Sequence, residues 1–124
     1  MKKVTAKHLM IGDWVKHEKR IMKVKELSIL ASKYRIYYED SIIGSSTATP
    51  IPITEDWWKL NGFDADCIYF VKIINKNTVI SINIEGHLCI YFHKTPTFLY
   101  GIKYIHQLQQ AYRLATGKEL KIKF

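Results

Sequence analysis

The sequence predicts an α+β protein in which a small N-terminal SH3-like antiparallel β-barrel is followed by a helix–β-meander–helix unit. Three observations lead to this prediction. Two groups of short segments alternate between apolar and polar residues, as half-buried strands do. A segment with helix-capping residues lies between the two groups. A further segment, near the end of the chain, repeats apolar residues at helical spacing.

A domain boundary is predicted at Pro50 and Pro52, because proline cannot lie inside a central strand. Residues 1–52 would then form the small barrel, and residues 53–124 an α-β-β-β-α unit. A chain of 124 residues has the size of one ordinary domain. We therefore expect the two parts to pack together as one compact domain.

The first strands are predicted from short segments separated by polar turns. Residues 13–17 and 21–27 are separated by Glu18-Lys19-Arg20, a loop short enough for a hairpin. Residues 35–38 form a third strand and Ile42-Ile43 a weak fourth. Several short strands in about forty residues favour a small, strongly bent sheet or an SH3-like barrel.

The first helix is predicted from its two ends. Thr54 suits the N-cap position, since its hydroxyl can accept a backbone N–H of the first turn. Ile53 and Trp58 have the spacing of a hydrophobic staple. Gly62 suits the position after the C-cap, where a left-handed backbone costs glycine little. These signals predict a helix of about two turns.

An antiparallel meander is predicted after this helix. Turns are indicated at Asn75-Lys76-Asn77 and at Gly86-His87. Ile80, Ile82 and Ile84 alternate with polar residues and are expected to share one buried face. The strands are predicted at residues 67–74, 78–85 and 88–93, with an edge segment at 97–100.

The last helix is predicted between Lys103 and Gly117. Ile105, Leu108 and Tyr112 recur at helical spacing, and this apolar stripe is expected to lie on the sheet. Gly117 stands where a left-handed residue ends a helix.

Composition excludes several classes of protein. A hydrophobic fraction of 48% supports a core without a metal or a disulfide, so no cofactor is expected. Cys67 and Cys89 are the only cysteines and are expected to be free thiols. No apolar stretch has the length of a membrane span, and charged residues interrupt any signal-peptide pattern at the start. A cytoplasmic protein that contacts no membrane is predicted.

The candidate nucleic-acid contacts lie in a basic N-terminal region. The chain carries a net charge of +8, and residues 1–35 hold ten basic against three acidic residues. Lysine and arginine could neutralise phosphates while Trp14, Tyr34, Tyr37 and Tyr38 stack on bases. Alternatively, the tyrosines fill the core and the lysines protect a strand edge. The candidate phosphate contacts are Lys16, Lys19, Arg20, Lys23, Lys25, Lys33 and Arg35.

A second set of residues could contact a protein partner. Trp57 would either anchor a partner, as interface tryptophans often do, or be buried. The last helix has an uncharged polar face that the sheet, the barrel or a partner would cover. The candidate interaction residues are Trp57, His106, Gln107 and Gln110.

Two weaker hypotheses concern His87, Cys89 and His93, which alternation places on one strand face. A zinc site would need four ligands, and Cys67 is the obvious fourth. A Cys–His nucleophile pair is also conceivable, although neighbours on one strand face lie too far apart for ready proton transfer. The alternative is an ordinary half-exposed face. No catalytic, cofactor-binding or metal-binding residue is assigned.

Four segments of the chain occur together, in one order, in a known family. They are Leu9-Met10-Ile11-Gly12-Asp13-Trp14-Val15, Pro50-Ile51-Pro52-Ile53-Thr54, Asn61-Gly62-Phe63, and His106-x-Leu108-Gln109 with Tyr112-Arg113-Leu114. As a set they resemble a small uncharacterised protein family from bacteriophages and prophages of gut anaerobes. The resemblance implies a cytoplasmic phage or mobile-element accessory protein, and it brings no assigned activity or catalytic residue.

The residues and the resemblance together predict a non-catalytic interaction or adaptor protein of phage or mobile-element origin. Its partner is expected to be another protein or a second copy of the chain. The alternative is a nucleic-acid-binding accessory protein that uses the basic N-terminal strands. A small hydrolase or metal-dependent enzyme is a distant third.

Overall fold

The computed structural model describes residues 3–30, 33–66 and 68–124. Its strands form two antiparallel sheets, one of three strands and one of five, and two α-helices accompany them. The α+β class is therefore confirmed. The elements are a 3-10 helix at Ala6–His8, β1 (Trp14–His17), β2 (Arg20–Leu30), β3 (Lys33–Tyr38), α1 (Glu55–Leu60), β4 (Asp64–Asp66), β5 (Tyr69–Asn75), β6 (Thr78–Asn83), β7 (Leu88–Phe92), β8 (Thr95–Leu99) and α2 (Ile105–Thr116).

The chain divides into two compact units. The N-terminal unit comprises Met1–Pro52 and Tyr104–His106, and the C-terminal unit comprises Ile53–Lys103 and Gln107–Phe124. The three-stranded sheet, in the order β1-β2-β3, belongs to the N-terminal unit. The five-stranded sheet, in the order β4-β5-β6-β7-β8, belongs to the C-terminal unit.

A tight hairpin joins β1 to β2, as predicted. His17 pairs with Arg20, so Glu18 and Lys19 alone form the turn. Both turn residues have positive φ angles, 49° and 66°. Two-residue hairpin turns favour this backbone because its twist matches that of the strands. The predicted strand at Ile42-Ile43 was wrong: the Ser41 hydroxyl binds both the N–H and the C=O of Ile43, which diverts these groups from a ladder.

The core of the N-terminal unit lies beneath the three-stranded sheet. Val15, Val24 and Ile36 are fully or almost fully buried there, and Tyr38 is buried with its hydroxyl 2.6 Å from Ser45 Oγ. Single bridges pair Ile36 with Ser45, Lys16 with Thr49 and Val4 with Ala48. The chain at positions 45–49 thus pairs with β3 and with β1, although the named strands themselves form an open sheet.

The caps predicted for α1 are confirmed. The Thr54 hydroxyl accepts a hydrogen bond from the backbone N–H of Trp57 at 3.2 Å. Gly62, just beyond the helix, has a φ of +79°. Trp58 is buried, with its ring 4.6 Å from Phe63 and 5.7 Å from Phe70 between centres. Local capping chemistry therefore defines this short helix, and aromatic packing holds it in the C-terminal unit.

The meander of the C-terminal unit differs from its prediction at two places. Strand β4 was not predicted, because its residues, two aspartates on either side of an alanine, are types that strands seldom contain. Ile84 was expected inside but is 74% exposed. The reason is that Asn83 ends β6: its side-chain oxygen accepts the N–H groups of Glu85 and His87 and turns the chain. Ile80 and Ile82 are buried as predicted.

The last helix is confirmed. Ile105, Leu108 and Tyr112 are all buried. The backbone N–H of Gly117, whose φ is +71°, donates to Arg113 and ends the helix. Within the described part of the chain, neither helix combines the length and the apolar character that crossing a membrane requires.

Candidate interaction surfaces

The three-stranded sheet separates its residues into a buried face and an outer face. Val15, Met22 and Val24 are buried. Their neighbours along the strands, Trp14, Lys16 and Lys23, therefore point to the outer face. Trp14 and Lys23 are paired on this outer face. The Lys23 ammonium lies 5.9 Å from the centre of the Trp14 ring, within the range of a cation–π contact.

Five of the seven predicted phosphate contacts lie on this outer face. Lys33, Arg35 and Tyr37 alternate with buried or half-buried residues of β3. In β2, a register shift between Val24 and Glu26 marks a bulge, and the exposed Lys25 lies between these two residues. We call Lys16, Lys23, Lys25, Lys33 and Arg35, with Trp14 and Tyr37, the basic face.

The remaining residues of the predicted set are placed elsewhere. Lys19 occupies the hairpin turn, and Arg20 stands at the first position of β2. Tyr38 is buried and Tyr34 packs against the core, which supports the core interpretation for these two tyrosines. On the basic face itself Glu39 lies 3.9 Å from Lys23, so part of the positive charge is already paired.

The five-stranded sheet has a different outer face. Thr78, Ile80 and Ile82 point inward, so Val79 and Ser81 point outward. The strand register extends these outward positions into two rows across the sheet. We call these two rows the apolar face: Ile73, Val79, Tyr91 and Pro96 in one row, and Val71, Ser81, Cys89 and Phe98 in the other.

The apolar face is open to solvent, and its eight residues are uncharged, although the second row continues to the exposed Asp64, which pairs with Val71. Ile73 is 72% exposed, Phe98 60% and Tyr91 45%. Sequence reasoning missed this face as an interaction surface. The available signal was that β7 is apolar on both sides, and β5 nearly so apart from Lys72, a pattern typical of strands that are covered on both faces.

The predicted interaction residues are less accessible than these. Trp57 is buried, with its ring centre 5.3 Å from Trp58 and 6.4 Å from Phe63, and this burial favours the core interpretation. Gln107 is half-buried, and its side-chain oxygen accepts the backbone N–H of Lys103 at 2.8 Å. Gln110 is also half-buried.

His106 is buried in the N-terminal unit. Its ring lies 6.0 Å from that of Tyr104, nearly parallel to it. Burial lowers the pKa of His106, the Asp13 carboxylate opposes this by raising it, and His8 lowers it further. A neutral, buried imidazole is a structural feature rather than an exposed contact.

The residues of the zinc and nucleophile hypotheses are spread along β7 and its ends. His87 precedes the strand, and His93 lies in the turn after it with a φ of 52°. Burial raises the pKa of the Cys89 thiol, which opposes formation of the reactive thiolate. Among the described residues no three His, Cys, Asp or Glu side chains group into a metal site. Cys67, the fourth ligand of the zinc hypothesis, lies outside the described residues.

Comparison with known proteins adds no assignment. No protein-family model matches the chain, no curated protein matches its sequence, and no solved structure matches its fold.

Proposed function

We propose that this chain is a non-catalytic interaction or adaptor protein of phage or mobile-element origin that acts in the cytoplasm. The observation that carries the proposal is the apolar face. Soluble proteins rarely leave a contiguous apolar patch larger than roughly a few hundred Å² unless it binds something. Ile73 on β5, Tyr91 on β7 and Phe98 on β8 expose large apolar side chains on one face of the sheet. Aromatic residues of this kind are common at the centres of protein interfaces.

The partner is an acidic protein that presents an apolar surface of its own. A partner that covers the rows from β5 to β8 desolvates no charge, because the charged Asp64 lies beyond them on β4. The chain as a whole carries a net charge of +8, so two copies repel one another while an acidic partner is attracted. The net charge therefore supports a hetero-complex over a homodimer.

The test compares two pairs of exposed isoleucine and phenylalanine residues. The double variant Ile73→Ser with Phe98→Ser removes apolar area from the apolar face. The matched control is Ile42→Ser with Ile43→Ser, which removes residues that are 100% and 68% exposed outside that face. Each protein is immobilised and exposed to host lysate, and retained proteins are identified, purified and titrated by calorimetry.

The proposal expects an acidic protein that binds the parent and the control variant, with affinity reduced about a hundredfold or more by the apolar-face variant. Equal binding by all three proteins would contradict it. So would light scattering that shows a dimer of the parent which the apolar-face variant dissociates, because the second copy would then be the occupant.

We also infer that the N-terminal unit is an SH3-like barrel. The supporting observation is that positions 45–49 pair with both edge strands of the three-stranded sheet, as a strand that closes a barrel does. An NMR structure with continuous pairing of Lys16 to Thr49 and Ile36 to Ser45 is expected. Loss of either pairing in solution would leave an open sheet instead.

The basic face favours nucleic-acid binding as a second candidate function. It combines five lysine or arginine residues with the half-buried Trp14 and Tyr37 on one outer surface, which is the combination that single strands require. Fluorescence anisotropy with labelled single-stranded DNA and RNA at rising salt tests it. Lys23→Glu, Lys33→Glu and Arg35→Glu together should lower the salt slope by roughly 2.

The control for this test reverses three exposed lysines of the C-terminal unit, Lys76, Lys94 and Lys103, and changes the net charge equally. If both triple variants weaken binding to the same degree, the interaction depends on net charge alone and the basic face is not a site.

A further inference from the structure

Two clefts meet at Lys72 in the C-terminal unit. One has a volume of about 420 Å³ and an apolar wall that includes Ile74, Tyr112 and Leu120. The other has a volume of about 300 Å³ and lies beside Leu60. Lys72 and Lys121 line both clefts. Their sizes are those of ordinary small-molecule sites, which occupy roughly 300–1,000 Å³.

Lys72 is held in a fixed position between the clefts. It pairs with the buried Ile80, so it stands on the inner side of the sheet. Its ammonium donates to the backbone oxygen of Asn61 at 2.7 Å and lies 5.8 Å from the centre of the Phe63 ring. An ammonium has three N–H donors, and this hydrogen bond uses one of them. The other two N–H donors can therefore bind a ligand.

The chain after α2 adds further positive charge to the same place. Lys118 and Lys121 line the larger cleft, and Lys121 and Lys123 line the smaller one. Asn61 fixes this segment, because its side-chain oxygen accepts the Lys123 N–H at 2.6 Å and its amide donates to the Lys123 carbonyl at 3.0 Å. These contacts hold Lys123 near Lys72, and Lys118 and Lys121 belong to the same segment.

The positive charge of the clefts is poorly compensated. Burial and the nearby Lys123 ammonium lower the pKa of Lys72. Glu119 is the one acidic residue that lines either cleft among the described residues, and its carboxylate accepts a hydrogen bond from Arg113 at 2.6 Å. An anion that enters the cleft would relieve the repulsion between the lysines.

We propose that this lysine-lined cleft binds a phosphorylated small molecule with an aromatic body, of the nucleoside monophosphate class. Lys72 and Lys121 hold the phosphate, and Lys118 and Lys123 add positive charge on either side. The body of the ligand lies against Ile74, Tyr112 and Leu120. Ile73 lines the larger cleft and also belongs to the apolar face, but the four lysines lie outside that face, and the site does not depend on the protein partner proposed above.

The experiment titrates the purified chain with adenosine monophosphate, adenosine and inorganic phosphate by calorimetry, with thermal unfolding in parallel. The nucleotide should bind and raise the unfolding temperature, inorganic phosphate should bind about tenfold more weakly, and adenosine should bind most weakly. Equal binding of nucleotide and inorganic phosphate would overturn the assignment of the apolar wall. Absence of any binding by nucleotide and phosphate would overturn the site.

Two cleft variants and one control make the test specific. Lys72→Met keeps most of the side-chain volume and removes the ammonium, while Lys121→Gln changes an exposed residue and should leave the fold intact. Each should weaken nucleotide binding about tenfold or more. Lys76→Met, in the turn after β5 and outside both clefts, should bind as the parent does. Unchanged binding by both cleft variants would contradict the proposal.

Discussion

The two sheets each bury one face, but their outer faces present opposite chemistry. The three-stranded sheet carries lysine and arginine around Trp14 and Tyr37, whereas the apolar face of the five-stranded sheet carries uncharged side chains and is bordered by Asp64. Burial of one face is sufficient to hold a sheet on its core. The outer faces are therefore available for recognition, and the difference between them indicates partners of different kinds. The predictions below test this comparison, beginning with the largest expected effect.

The largest effect should separate the buried and outer faces. Ile80→Ala in the five-stranded sheet and Ile36→Ala in the three-stranded sheet each remove a fully buried side chain. Each should lower the free energy of unfolding by about 3 kcal/mol. Ile73→Ala, on the apolar face, should change it by less than about 0.5 kcal/mol. Urea denaturation measures all three, and a large loss for Ile73→Ala would mean that this face is covered in the free chain.

A second prediction compares a buried polar side chain of the C-terminal unit with an exposed one. Asn61 is buried and its side chain makes three hydrogen bonds, two to the backbone of Lys123 and one to the backbone of Trp57. Asn61→Ala should cost about 2 kcal/mol and accelerate hydrogen exchange at Lys123. The control Asn77→Ala changes an exposed residue and should be nearly neutral. Slow exchange at Lys123 in Asn61→Ala would show that other contacts hold this segment.

A third prediction concerns the pH dependence that His106 gives to the N-terminal unit. His106 of the N-terminal unit has a lowered pKa because it is buried, so the folded protein takes up its proton less readily than the unfolded chain. The contribution of the neutral His106 to the free energy of unfolding should therefore be fully present above the ordinary pKa of 6.5. It should be lost as the pH falls through the lower pKa of the folded protein. Urea unfolding at about pH 7.5 and about pH 5 should show a smaller pH dependence in His106→Asn than in the parent. Equal pH dependence in the two proteins would exclude His106 as the cause.

The smallest effect concerns a feature that the two units share. Lys19 and Lys94 each follow another positive-φ residue in a two-residue hairpin turn, with φ angles of 66° and 69°. Glycine adopts this backbone more easily, so Lys19→Gly and Lys94→Gly should each raise the free energy of unfolding by about 0.5 kcal/mol. Chemical denaturation provides the measurement. Destabilisation by either substitution would indicate that the lysine side chain contributes a contact of its own.

The features that could be predicted from the sequence are those set by near neighbours. Thr54 and Gly62 mark the ends of α1, and Gly117 marks the end of α2, through hydrogen bonds that span a few residues. Ile84 escaped prediction because alternation does not reveal that the Asn83 side chain turns the chain.

The candidate surfaces depended on information that periodicity does not contain. The sequence left open whether Tyr34 and Tyr38 stack on bases or fill the core, and burial of Tyr38 and packing of Tyr34 against the core decide for the second. The cluster around Lys72 was not predicted because Asn61 and Lys123, which assemble it, are 62 positions apart in the chain.

The most direct test of the apolar face is hydroxyl-radical footprinting read by mass spectrometry. In the free chain Phe98 and Tyr91 should be oxidised readily, and the buried Tyr38 should not. With the acidic partner bound, Phe98 and Tyr91 should become protected while Trp14 and Tyr37 of the basic face keep their reactivity. Protection of Phe98 and Tyr91 in the free chain, or their unchanged oxidation in the complex, would contradict the account.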